Sequence, residues 1–149
     1  MQFILILHSI LRWGILIVGL WTVINAVTGV SSKRAYTAAD NRSNLLFMIF
    51  FDLQLLIGLI LYFVNGWFDK LKQFSVYKSD APTRFFMLEH LTMMILAWIL
   101  VHVGRSAVKK AGTDAAKHKK MLIFFGIAFI LILASIPWPF RNAVARPWF

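Results

Sequence analysis

His8 and His90 lie inside long apolar runs, accompanied there or nearby by Arg12, Glu89 and His102. Hydrocarbon offers such groups no water, so each is costly unless a partner or ligand satisfies it. The chain has no cysteine, which excludes disulfides, iron–sulfur clusters, thiolate zinc sites and covalent c-type haem attachment. Neutral imidazole is the main metal ligand left. Two imidazoles on different helices at one depth can grip a porphyrin iron from both faces. His8 and His90 have that arrangement if their helices run in the same direction. Each lies several residues past the start of its apolar run, roughly 8–10 Å below one surface at about 1.5 Å rise per residue. Read from the residues alone, the pair is either a haem site or hydrogen-bonding glue between helices.

The neighbours of the two histidines extend the first reading. His8, Arg12, Ile15, Gly19, Thr22 and Ala26 fall on one helical stripe, and His90, Met94, Ala97, Val101 and Gly104 on another. Small residues on these stripes leave space beside a ring. Glu89 or Asp52 is expected to neutralise Arg12, and cofactor carboxylates are expected to point outward toward Arg84 or Lys78. His102 lies roughly 18 Å along the axis from His90 and about 120° round, so the two cannot share one iron. A second, inner haem between His102 and His118 is the weaker expectation, because Lys117-His-Lys-Lys120 has the pattern of a solvated basic cluster.

The elements that must position these residues are four apolar helices. Spans are expected at about 3–30, 44–64, 83–108 and 117–136, each near or above the roughly 20 residues that cross a bilayer. The first begins at Met1 without a basic leader or cleavage pattern and reads as a retained helix. Residues of about 67–77 alternate Trp67, Phe68, Leu71 and Phe74 with Asp69, Lys70 and Lys72, the pattern of an amphipathic segment lying in the interface. Thr37-Ala-Ala-Asp40 has the form of a helix start. Ser79 or Asp80 followed by Pro82 opens the third span, Gly112 ends it, and Thr113 or Asp114 caps the fourth. Pro137-Trp-Pro139 stops the last helix, and Trp67, Trp138 and Trp148 are expected in an aromatic belt. The fold class is an all-α, integral membrane, antiparallel four-helix bundle of one domain.

Composition agrees with a membrane protein. The chain is 60% hydrophobic and 15% charged, against roughly half and a quarter in soluble domains. Its net charge of +10 does not imply nucleic acid, because the basic residues cluster at the ends of apolar runs, where they meet headgroups. Lys33, Arg34, Arg42, Arg105, Lys109, Lys110, Lys117, Lys119 and Lys120 share one side; Lys70, Lys72, Lys78, Arg84, Arg141 and Arg146 share the other. Nine against six places both termini outside, periplasmic in a bacterial inner membrane.

Leu7-His-Ser-Ile-Leu-Arg-Trp13, Asp52-Leu-Gln-Leu-Leu-Ile-Gly58, Glu89-His90, Val101-His-Val-Gly-Arg105, Lys117-His118 and Ile136-Pro-Trp-Pro-Phe140, in this order, resemble a group of small bacterial four-helix membrane proteins of the cytochrome b-like type. The resemblance covers nearly the whole chain and implies b-type haem on histidines and a role in membrane electron transfer. A quinone or redox protein would be the partner, and a homo-oligomer is expected because four helices enclose little volume. Bis-histidine iron has no open position, which favours electron transfer over catalysis. Two other classes compete. A transporter or metal-handling protein would bind copper through His8, His90 and Met94. A structural accessory subunit would use the same residues only to lock helices together.

Overall fold

The computed structural model describes residues 2–148. Among these the chain is all-α, and four helices are long and apolar enough to cross a membrane: Gln2–Ser31, Ala38–Val64, Ala81–Lys109 and Asp114–Ser135. We label α1 Gln2–Ser31, α2 Ala38–Val64, α3 Trp67–Lys72, α4 Phe74–Tyr77, α5 Ala81–Arg84, α6 His90–Lys109 and α7 Asp114–Ser135. A wide, π-helical turn at Phe85–Glu89 joins α5 to α6. In the bundle α1 packs on α2 and α7, and α6 packs on the same two helices, so α1 and α6 stand diagonally and run the same way.

The buried stripes follow the sequence pattern. Ile15, Gly19, Thr22 and Ala26 face inward on α1, and Ala97, Val101 and Gly104 on α6. His118, Met121, Phe125, Ala128, Ile132 and Ser135 do so on α7. Leucine and isoleucine cover the outside, with Ile17, Leu56 and Ile130 well exposed to where lipid would lie. Polar residues on the inner stripes satisfy themselves locally: the Thr22 hydroxyl donates to the Val18 carbonyl at 2.8 Å, a bond that costs no interhelical partner.

Thr37 and Asp40 form a complete capping box at the expected helix start, so α2 begins at Ala38 and its polar first turns precede the apolar span expected from about 44. Helix geometry differs from expectation in two places. The segment 67–77 is two short helices divided at Gln73, with Trp67 stacked on Phe86 while Phe68 and Phe74 stay exposed. Gly112 is not the left-handed residue closing α6; Lys110 is its C-cap, and Gly66 is the one glycine with positive φ among the described residues. Asp80 and Thr113 cap α5 and α7 as expected. Ile136 turns extended before Pro137 and ends α7.

Candidate functional site

Beyond α7 the chain folds back over the end of the bundle where α1 starts. The Arg146 amide donates to the Pro137 carbonyl at 3.0 Å, and Arg141 donates to the Ala134 carbonyl at 2.7 Å. Trp13, Trp138 and Trp148 form a three-ring cluster with centroids 5.8–6.4 Å apart. Under this strap lies a cavity of about 440 Å³ between α1, α2, α6 and the end of α7, bordered by Trp67 of α3. That volume is in the range of small-molecule and cofactor sites, roughly 300–1,000 Å³.

His8, Arg12, His90 and Met94 all line the cavity. His90 Nδ1 lies 2.8 Å from the Ser135 carbonyl. A carbonyl only accepts, so Nδ1 carries the hydrogen and Nε2 is left as the nitrogen with a lone pair in the neutral ring. Metal-bound histidines are commonly oriented this way, with the second nitrogen donating to a backbone carbonyl. The wide turn just before His90 matters here. Its extra residue rotates α6 by about 100° relative to a continuous α-helix from α5, and the His90 amide closes it on the Phe85 carbonyl. Tyr62 holds it from α2, its hydroxyl 2.8 Å from the Met87 carbonyl.

His8 is set by α2. Gln54 donates to the His8 carbonyl at 3.0 Å, and the imidazole lies across Gly58, where an added Cβ would stand 3.2 Å from His8 Cε1. His8 Nδ1, Arg12 Nε and Gln54 Oε1 are buried without a hydrogen-bond partner. Buried polar atoms are nearly always satisfied in folded proteins. Trp13 Nε1, Arg105 Nε and His118 Nδ1 are unpartnered as well; His8, Arg12 and Gln54 stand apart from them in lining one cavity.

Other expected site residues lie elsewhere. Neither Glu89 nor Asp52 neutralises Arg12. Glu89 pairs with Arg84 at 2.7 Å, and both border a separate hollow beside Arg141. Asp52 accepts from Trp98 Nε1 at 2.7 Å and meets His102 Nε2 at 2.8 Å. Arg12 instead donates to the Trp148 carbonyl. Arg84 also donates to the Lys78 carbonyl at 2.9 Å, and neither Arg84 nor Lys78 is among the residues lining the cavity.

The inner pair is also divided. His102 sits against Asp52 and Trp98 at the α2–α6 contact, while His118 is fully buried beside Gly29 and Tyr36. The basic cluster around His118 had suggested a solvated ring. Helical phase overrides it, because position 118 falls on the inward stripe of α7.

Gln54 and Gly58, four residues apart on α2, share the helical face turned to the cavity. Arg146, Tyr62 and the Ser135 carbonyl were missed. A backbone carbonyl carries no sequence signal, and the return of the tail over the bundle carries little beyond its prolines and tryptophans. No family model matches this chain, and neither curated proteins nor solved structures give a match.

Proposed function

We propose that this chain is a b-type haem-binding protein of the bacterial inner membrane that mediates electron transfer, with His8 and His90 as axial ligands and both termini periplasmic. The observation that carries the reading is His90, whose Nδ1–H is fixed on the Ser135 carbonyl while its ring borders the same cavity as His8. The residues present fit the group. They offer two imidazoles from different helices, an unpartnered buried nitrogen on one of them, and apolar walls from Phe51, Leu61 and Ile132. Iron held this way would supply one-electron chemistry. The protein's part is to exclude water, hold the ligand tautomer and set the ring orientation through Ser135, Gly58 and Gln54. A quinone or redox protein would exchange the electrons.

Protein purified after expression with ample haem is expected to show a Soret band and a low-spin spectrum. His8→Ala and His90→Ala should each abolish or shift it. A spectrum that neither substitution changes would remove these ligands, and no Soret band in the wild type would remove the haem.

Met94 favours one second reading. Met94 borders the cavity with both histidines, and its sulfur accepts from the Ser135 hydroxyl at 3.9 Å. Among the described residues no three histidine or carboxylate side chains gather around a metal position, so a His–His–Met set is what this cavity offers to copper. Copper binding without haem absorption would select that reading.

A further inference from the structure

Two arginines border the cavity, and neither axial ligation nor helix packing employs them fully. Arg12 stands one turn along α1 from His8, its Nε buried and unpartnered. Arg146 reaches in from the tail across the Phe86 ring, 4.6 Å from its centroid. Among the described residues neither meets a carboxylate, since Glu89 and Asp52, the acids expected for Arg12, are held by Arg84 and by Trp98 with His102. Cations at the edge of a membrane cavity are expensive without a counter-charge, and the guanidinium fork suits bidentate capture of carboxylate or phosphate.

We propose that Arg12 and Arg146 form an anion clamp at the strap end of the cavity and receive the acidic groups of its occupant. The ligand is an apolar body with one or two acidic groups, its body between His8 and His90 and its acids beneath the three tryptophans. Because Arg146 belongs to the strap, the clamp is complete only when the tail is folded over the bundle. The inference rests on the haem reading, in which the acids are the porphyrin carboxylates. An anionic lipid headgroup is the other source of the same chemistry.

The experiment separates the two. Full-length apoprotein in phosphatidylcholine nanodiscs is titrated with haem and with haem dimethyl ester, read by the Soret band. Wild type should bind the free acid about tenfold or more tightly, the gain expected from charge-assisted hydrogen bonds. Arg146→Gln, which alters only the exposed tail, should reduce that preference, and Arg12→Gln with Arg146→Gln should erase it. Arg84→Gln should leave it intact. Equal binding of acid and ester by wild type overturns the clamp while leaving the histidine ligands standing. If neither form gives a Soret band, the haem reading fails and the clamp is read from lipid. Tryptophan fluorescence should then differ between phosphatidylglycerol and phosphatidylcholine nanodiscs in wild type and not in the double variant. No difference in wild type overturns the clamp.

Discussion

The two ends of this bundle place their buried polar residues in different surroundings. At the inner end, Asp40 is fully buried and takes both nitrogens of Arg34 at 2.6 and 2.7 Å, together with the Thr37 amide and hydroxyl. Arg105, near the same end of α6, is buried and donates to Asn41 and Asn44. Asn44 in turn donates to the Tyr36 hydroxyl at 2.8 Å. His118 fills the space that a side chain at Gly29 would take. At the outer end the same kinds of group surround a cavity, and His8, Arg12 and Gln54 each keep an unpartnered atom. The inner end places most of its polar atoms on protein partners, although Arg105 Nε and His118 Nδ1 stay unpartnered. The outer end differs in that its unpartnered atoms sit on residues that border one cavity, which is how a ligand site differs from a structural network.

The largest effect should come from breaking the inner network. Asp40→Ala removes the capping box of α2 and the charge-assisted bonds from the partly exposed Arg34, a combined loss of about 2 kcal/mol. Chemical unfolding in detergent should register that loss. A drop below about 1 kcal/mol would show the inner network to be no more structural than a surface ion pair. Gly58→Val probes the outer end. It pushes on the His8 ring and should weaken or shift the haem spectrum strongly, while overpacking beside a cavity that can absorb it costs at most about 1 kcal/mol of stability. If Gly58→Val unfolds the protein and leaves the spectrum of the surviving fraction unchanged, the contrast between the ends is wrong.

Helix number, span limits and inward stripes were legible in the sequence because apolar length and 3.6-residue periodicity are local properties of the chain. The shared depth of His8 and His90 was legible for the same reason, as arithmetic on helix starts. Partnerships were not. Arg12 could have met Glu89 or Asp52 by depth, and helical depth does not say that Trp98 and His102 reach Asp52 from α6 or that Arg84 turns back to Glu89. The wide turn before His90 also escaped, since Phe-Phe-Met-Leu-Glu continues the apolar pattern without proline or glycine to mark the extra residue. His118 was misjudged through composition, its lysine neighbours outweighing the phase of its own helix.

Two aspartates that start helices carry the contrast down to single bonds, and the smallest expected effect follows from the outer one. Asp40 begins α2 from inside the protein; Asp80 begins α5 from the exposed surface, accepting from the Thr83 amide at 3.0 Å. The bond to Thr83 holds the Asp80 carboxyl below its ordinary value. A lowered carboxylate adds stability that is present above the unfolded-state value near pH 4 and is lost as pH falls through the folded one. α5 leads through the wide turn to His90, so losing this cap should loosen the cavity wall before the bundle itself. Protection of the amides of residues 81–89, taken relative to their intrinsic exchange rates, should fall on going from about pH 5 toward pH 3 and be less pH-dependent in Asp80→Asn, while the α2 start changes in parallel in both proteins. An equal pH response at 81–89 in wild type and Asp80→Asn would mean that the route to His90 is held by the Tyr62–Met87 bond and packing alone, and that the outer end is as internally braced as the inner.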